Sequence, residues 1–314
     1  MSHLARAVEL AERGRGTTHP NPVVGAVVVS PAGEVVGEGW HERRGEPHGE
    51  VNALRAAGDR ARGATLYVSM EPCAHHGTTP PCADAVVEAG IAKVVVGSRD
   101  PNPEAAGGVE HLQAAGVEVE LVDSFEARRQ NEAWRTWVSG RRPFVTYKVA
   151  ATLDGRVTVP GARWVTGEES RRLVHALRAS SDAVAVGMGT VRADAPRLDA
   201  RDVPVLHQPR RLVFGRGPLP EGSELELRSG PLREELEALA AEGVQSLLLE
   251  GGPTLATAFF AEGLVDKVLL FVAPKISGEG PQMLGELAGP IALVRATARL
   301  VGDDVVIEAY VNEP

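Results

Sequence analysis

His48-Gly49-Glu50-Val51-Asn52-Ala53-Leu54-Arg55-Ala56-Ala57-Gly58, followed after a short connection by Thr65-Leu66-Tyr67-Val68-Ser69, is the stretch whose reading decides the fold. Residues 51–57 read as a helix that Gly58 ends, and residues 65–69 as a short strand. Working outward, residues 2–15 set Leu4, Ala7, Val8, Leu10 and Ala11 among charges at helical spacing. Pro20-Asn21-Pro22 breaks that helix. Residues 23–29 then read as a buried strand, Ser30-Pro31-Ala32-Gly33 as a turn and residues 34–40 as a second strand. Downstream, residues 82–89 predict a helix stopped by Gly90. They are followed by a strand over 94–97, a helix over 111–115 and a strand over 117–122. Strands alternating with helices imply a three-layer α/β domain. A second such series begins after the basic, Pro-punctuated Gly140-Arg141-Arg142-Pro143, so the reading is two domains, residues 1–142 and 143–314. In the second, strands are expected over 144–149, 183–187, 211–214 and 246–249, and helices over 170–179 and 233–242. A final pair of strands, 267–272 and 304–311, closes the sheet.

The chain's 314 residues are about twice a typical domain, which fits two cores. Hydrophobic residues at 43% and charged residues at 24% match a globular chain and exclude disorder, collagen-like repeats and coiled coil. The net charge of −9 has the wrong sign for a protein that wraps nucleic acid or lies on an anionic membrane. Small-molecule chemistry is therefore expected, with neither nucleic acid nor membrane as partner. No apolar run approaches the roughly 18 residues that span a bilayer, and Met1-Ser2-His3-Leu4-Ala5-Arg6 carries charge where a signal peptide is apolar, so a cytoplasmic location is expected. Cys73 and Cys82 are the only cysteines, too few for a disulfide framework.

Set beside their neighbours, these thiols form a pattern: His48-Gly49-Glu50, Glu71-Pro72-Cys73 and Pro81-Cys82. A catalytic zinc takes three protein ligands and leaves one position for water. His48, Cys73 and Cys82 supply a neutral imidazole and two thiolates. Glu50, two residues beyond His48 at a helix start, suits a proton shuttle rather than a fourth ligand. The order His-x-Glu, then Pro-Cys and a second Cys, matches the zinc deaminase signature, with a longer gap between the thiols. A closed structural zinc, with His75 or His76 as fourth ligand, is an alternative at this stage. So are a deaminase acting on nucleic-acid bases and a non-catalytic metal-binding protein.

Longer motifs surround this set. Thr17-Thr18-His19-Pro20-Asn21-Pro22-Val23-Val24-Gly25, Gly45-Glu46-Pro47-His48-Gly49-Glu50, the run from Glu71 through His75-His76-Gly77-Thr78-Thr79 to Cys82, and Asp100-Pro101-Asn102-Pro103 closely resemble the bifunctional riboflavin-biosynthesis deaminase/reductase family. The resemblance continues through Lys148-Val149-Ala150-Ala151-Thr152-Leu153-Asp154-Gly155-Arg156, Trp164-Val165-Thr166, the segment from Gly189 to Pro196 and Glu250-Gly251-Gly252-Pro253. It implies a cytidine-deaminase-like three-layer domain followed by a dihydrofolate-reductase-like α/β domain. The first would hydrolyse the 2-amino group from a diaminopyrimidinone ribosylamino 5′-phosphate, with zinc activating water and Glu50 moving the proton. The second would use NADPH to reduce the product's ribose to a ribityl chain. Asn21, His41 and His75 become candidate substrate contacts in the first domain. In the second, the resemblance assigns cofactor contacts to Ala151, Trp164, Thr190, Asp194, Gly252, Pro253, Thr254, Leu255, Ala256, Thr257 and Ala258. It assigns substrate contacts to Arg178, Leu198, Arg201 and Glu250, the arginines as phosphate clamps. Arg216, after the strand at 211–214, is a candidate for a 2′-phosphate. Departures from the family are Gly49 for Ala, Ala162 for Ser and Ala195 for Asp or Asn, together with a somewhat short reductase half. Pairing into a homodimer through the reductase domain is also implied.

Overall fold

A computed structural model describes residues 2–75 and 80–314. The chain divides into two compact units, Met1–Gly140 with Pro314, and Arg141–Glu313.

In the first unit the chain runs α1 (His3–Ala11), β1 (Gly25–Val29), β2 (Val35–Trp40), α2 (Gly49–Ala57), β3 (Thr65–Val68), α3 (Cys82–Glu88), β4 (Lys93–Val96), α4 (Gly108–Ala114), β5 (Glu118–Leu121), α5 (Phe125–Gln130) and α6 (Glu132–Gly140). The strands form one sheet in the order β2-β1-β3-β4-β5, with β1 antiparallel to β2 and β3, and β3, β4 and β5 parallel. Every residue of β1 is buried because both faces of the sheet are covered. Ala26 and Val28, with Leu66, Val68, Val94 and Val96, pack on Ala53, Leu54 and Ala57 of α2 and Ala83 and Val86 of α3. Val27 and Val29 pack on Ala7 and Leu10 of α1. Each large aliphatic side chain so buried contributes on the order of 1.5–3 kcal/mol. Glycines set how closely α2 approaches. A Cβ at Gly37 or Gly39 would lie 2.3 Å from the backbone of Ala53, so this part of the sheet needs residues without side chains.

Two helices lie outside the sequence expectation, and both shape the site. Ser124 caps α5, its Oγ accepting from Ala127 N–H at 3.2 Å. Between α5 and α6 the Asn131 side chain both accepts from and donates to the backbone of Val23, at 2.9 Å each. That clasp ties α6 to the segment entering β1. The expected strand 94–97 ends at Val96, since a Cβ at Gly97 would sit 2.5 Å from Ser69 O, and the helix expected from residue 111 begins at Gly108.

In the second unit the order is β6 (Phe144–Thr152), α7 (Glu168–Ala179), β7 (Ala183–Gly187), α8 (Met188–Asp194), β8 (Arg210–Phe214), β9 (Glu226–Arg228), α9 (Leu232–Ala241), β10 (Ser246–Leu249), α10 (Pro253–Ala261), β11 (Lys267–Ala273), β12 (Val294–Val301) and β13 (Asp304–Tyr310). The sheet order is β12-β13-β11-β6-β10-β7-β8-β9. Pairing is parallel from β11 to β9 and antiparallel among β11, β13 and β12. On one face Val145, Leu247 and Leu249 meet Leu236, Leu239, Phe259 and Phe260 of α9 and α10. On the other, Val184, Val186 and Leu248 meet Met188, Val191 and Leu198. Arg142 belongs to this unit by its bonds, two at 2.6 Å to the buried carboxylate of Asp266. Short α8, short β9 and edge strand β12 were not expected from sequence. The carboxyl ends of β6, β10 and β7 lie side by side at one edge of the sheet, where ligands bind in open parallel α/β folds.

Candidate active sites

In the first unit, α2 brings His48 to its N-cap and Glu50 into its first turn, α3 begins at Cys82, and Cys73 lies on the loop after β3. Their ligand atoms converge. His48 Nδ1 is 3.2 Å from Cys82 Sγ and 3.8 Å from Cys73 Sγ, and the three ligand atoms lie within 4.8 Å of one another. Cys82 N–H points at Cys73 Sγ at 3.4 Å. Despite burial, the Cys82 thiol and the His48 ring favour Cys73 as thiolate, while Cys82, bonded to it, keeps its proton when no cation is present. Both cysteines are free. One imidazole and two thiols at this separation are the soft donor set of a zinc centre, and the fourth direction opens on a cavity.

That cavity, about 290 Å³, is lined by Asn21, His41, His48, Glu50, Cys73 and His75, so the structure gathers the sequence-selected residues of this domain other than Cys82 around one space. Glu50 is 2% exposed, its Oε2 has no hydrogen-bond partner among the described residues, and burial raises its carboxyl to about 7. An orphaned carboxylate oxygen beside the donor set is the position a proton-moving group requires. His41 packs edge-on against His48, ring centroids 4.9 Å apart, with its Nδ1 3.2 Å from Pro47 O and its Nε2 buried without a partner among the described residues. Burial and the nearby His48 push its pKa below the ordinary imidazole value. His75 is exposed at the cavity's mouth, and His76 lies outside the described residues.

The cavity also has walls that sequence reading did not assign. Trp134, Trp137 and Val138 project from α6 at spacings of three and four, the signal that would have marked one face of that helix. Asp100 and Asn102 reach it from the loop after β4, and burial raises Asp100 to about 6. Glu71 fixes that loop. Its buried side chain accepts backbone N–H groups from Asp100 at 3.1 Å, Gly107 at 3.3 Å and Val109 at 3.0 Å.

In the second unit, Ala151 lies near the end of β6, Thr190 on α8 beyond β7, and Glu250-Gly251-Gly252 at the end of β10. A Cβ at Gly252 would lie 3.6 Å from Thr190 Oγ1, and one at Gly251 2.9 Å from Leu255, so two chain reversals meet across bare backbone. Gly252 caps α10 and Pro253 is its first residue, which leaves N–H groups facing out at a nine-residue helix start. Along α10, Thr254 is exposed and Leu255, Thr257 and Ala258 half-buried. Ala256 is 0% exposed, pointing into the core, and offers a ligand only its backbone. Asp194 is exposed, and Trp164, 49% exposed, lies under the Arg163 and Arg171 guanidiniums at 5.1 and 5.6 Å.

Glu250 anchors the charged cluster beside this turn. Arg178 donates to it through Nε at 2.6 Å and Nη2 at 3.0 Å, and Lys148 Nζ is 3.5 Å away. Burial opposes its charge, but Lys148 and Arg178 outweigh that and hold Glu250 below the usual carboxylate range. Arg178 also donates to Asp199 O at 3.1 Å, and Arg201 pairs with the Asp199 carboxylate at 2.6 Å. Leu198 is 2% exposed with φ 56°, so its side chain belongs to the core and its backbone alone faces this cluster.

Residues 143–307 match the family described as the RibD C-terminal domain, and residues 1–98 match the cytidine and deoxycytidylate deaminase zinc-binding region. The chain is 43% identical to the riboflavin biosynthesis protein RibD of Aquifex aeolicus over 89% of its own length and 88% of that protein's. It belongs to the RibD family. With RibD of Escherichia coli the identity is 39%, covering 96% of this chain and 97% of the other. Among solved structures, RibD of Acinetobacter baumannii superposes with a TM-score of 0.86 at 36% identity, covering 98% and 97% of the two chains. The diaminohydroxyphosphoribosylaminopyrimidine deaminase/5-amino-6-(5-phosphoribosylamino)uracil reductase of Thermotoga maritima superposes at 0.83 with 34% identity, covering 98% and 97%. These matches make the first unit a cytidine-deaminase-like domain and the second a RibD C-terminal domain, and the zinc-binding class of the first accords with His48, Cys73 and Cys82.

Proposed function

We infer that this chain is a bifunctional enzyme of riboflavin biosynthesis: the first unit deaminates a 2,5-diamino-6-ribosylamino-4(3H)-pyrimidinone 5′-phosphate, and the second reduces the ribose of the resulting aminouracil phosphate with NADPH. The observation that carries it is the convergence of His48, Cys73 and Cys82 beside the orphaned Glu50 carboxylate, in a chain of the RibD family. Zinc held by those three residues supplies Lewis-acid activation of a water molecule. Glu50 would be the group that accepts and returns the proton, because no other carboxylate oxygen among the described residues lining that cavity is both buried and without a partner. The cavity's apolar wall of Trp134, Trp137 and Val138 gives the pyrimidine a dry face, and Asn21, His41 and His75 supply hydrogen-bonding groups around its rim.

For the reduction, the cofactor supplies hydride. The Gly251-Gly252 turn, Thr190 and the start of α10 would hold that cofactor's pyrophosphate, and Ala151, Trp164 and Asp194 would complete its site. Arg178 and Arg201 would hold the substrate phosphate, with Glu250 fixing the fork of Arg178. No described helix is long and apolar enough to cross a membrane. Two free thiols as metal ligands fit the reducing cytoplasm. Pairing through the reductase unit is supported by β12, an edge strand that exposes Val294 and Leu300; light scattering would test it. The decisive experiment mixes purified protein with the diaminopyrimidine phosphate and NADPH, and follows ammonia release together with nicotinamide absorbance. Both signals are expected. Ammonia release without NADPH oxidation, or neither, would overturn the bifunctional reading.

A further inference from the structure

The loop joining α8 to β8, residues 195–209, contains Arg201, and its backbone is strained. Six non-glycine residues among the described ones have positive φ, and three of them fall here: Ala195 at 42°, Leu198 at 56° and Asp202 at 61°. Left-handed backbone is unfavourable for a residue with a Cβ, so such a loop keeps its shape only where its surroundings impose it. Backbone pairing does not impose it: among the described residues, none of 196–209 makes a backbone–backbone hydrogen bond. Side chains hold the loop instead.

Leu198 is buried against Val184, Val186 and Val213, which fixes one point. Gln208 fixes another. Its Oε1 accepts the Ala200 N–H at 2.9 Å and its Nε2 donates to Ala200 O at 2.7 Å, so both peptide planes that meet at Ala200 are held. The first plane also contains Asp199 O, to which Arg178 Nη1 donates at 3.1 Å, so that peptide is gripped from its two ends. The second leads directly into Arg201, whose Nη1 lies 2.6 Å from the Asp199 carboxylate. Gln208 is itself well anchored. Pro209 is buried and favours extended backbone at Gln208, and the Arg210 N–H donates to Asp182 O at 2.9 Å as β8 begins.

We propose that Gln208 is a positioning residue of the reductase: by clamping both peptides of Ala200 it sets Arg201 relative to Arg178 and holds the two guanidiniums ready for the substrate's phosphate. The proposal rests on the reductase reading and on the phosphate role given there to both arginines. Without the clamp, the loop relaxes from its left-handed conformations, and only a fraction of molecules presents the two arginines together. Apparent affinity for the phosphorylated substrate falls by that fraction, while turnover of substrate once bound is unaltered.

The test is steady-state kinetics of the full-length protein on the aminouracil phosphate with NADPH, comparing the wild type, Gln208→Met, Arg201→Ala and the double variant. Methionine keeps the length of the side chain and removes both hydrogen bonds. Each bond is worth about two- to tenfold, so KM for the aminouracil phosphate should rise roughly 5- to 50-fold, with kcat and KM for NADPH within about twofold of wild type. In the Arg201→Ala background the same substitution should raise KM by a much smaller factor, because a residue through which it acts is gone. Gln208 is exposed, so Tm should move by less than about 2 °C. An unchanged substrate KM in Gln208→Met, or a rise as large in the Arg201→Ala background as in the wild type, would overturn the assignment, and wild-type turnover would leave the reductase reading standing. So would a fall in Tm and kcat with the KM of both ligands shifted alike, which marks a merely structural residue. A wild type that oxidises no NADPH with this substrate would overturn the reductase reading and the proposal with it.

Discussion

Arg142→Ala is expected to loosen the reductase unit, because a single ion pair holds the entry of two neighbouring strands. Arg142 precedes β6 and Asp266 precedes β11, which pair in parallel. The Asp266 carboxylate, with its side chain 6% exposed, accepts Arg142 Nη1 and Nη2 at 2.6 Å each and the Val145 N–H at 2.8 Å. Alanine at 142 leaves that buried carboxylate with one donor. Breaking a buried pair by removing one partner costs roughly 3–5 kcal/mol. Arg142 keeps some exposure, so about 2–4 kcal/mol is the appropriate range. For a unit spanning Arg141–Glu313 that corresponds to a fall in Tm of roughly 5–15 °C. Scanning calorimetry on the full chain measures it, the reductase transition being the one that added NADPH raises. Arg142→Ala combined with Asp266→Asn should recover part of the loss, since the lone charge goes with its partner. A Tm within about 2 °C of wild type for Arg142→Ala would refute the reasoning. A reductase fragment should accordingly begin at residue 141, because one beginning at 144 lacks the same arginine.

Glu50→Gln keeps size and leaves the donor set intact, so ammonia release should fall by roughly 10²- to 10⁴-fold while reduction of supplied aminouracil phosphate is unchanged, as paired assays would report. Cys73→Ala should lose bound zinc by metal analysis, and chelation of the wild type should stop deamination but spare reduction. Asp154 accepts Thr152 Oγ1 at 2.5 Å and the N–H groups of Ser277 and Gly278 at 3.0 and 2.8 Å, bonds that hold its carboxyl well below its ordinary 3.8. Its contribution to stability is therefore present above pH 3.8 and is lost progressively as pH falls from there toward its much lower folded value, so Asp154→Asn should flatten the drop in reductase Tm between pH 4 and pH 2.

What the sequence disclosed and what it hid follow from where each signal resides. The run of residues entering β1 is wholly apolar because the strand is covered on both faces, and such a run is visible without knowing its partners. His48, Cys73 and Cys82 were legible because the chain has no other cysteines. Edge strand β12 escaped because nearly all of it is exposed, so no buried face imposes a period of two; it is a strand because β13 pairs with it. Helices α6 and α8 are short, and the packing of Trp134 on the first core and of Val191 on the second holds them more than propensity does. The part of the cavity built by Asp100 and Asn102 depends on Glu71 gathering the N–H groups of Asp100, Gly107 and Val109, a relation that sequence separation conceals.

The reductase cluster carries this further. Read singly, Arg178 and Glu250 are two charges 72 positions apart, each a candidate for touching substrate. Folded, they are first each other's partners, and Arg201 is already paired with Asp199. On the proposed assignment, ligand phosphate would meet not free cations but arginines whose positions are set beforehand, Arg178 by the Glu250 carboxylate and Arg201 by that of Asp199. Preorganisation of this kind lowers the entropy lost on binding at the expense of partly neutralised charge. On the proposed assignment, the Lys148 ammonium beside Glu250 offsets that neutralisation, leaving the site positive where the phosphate must bind.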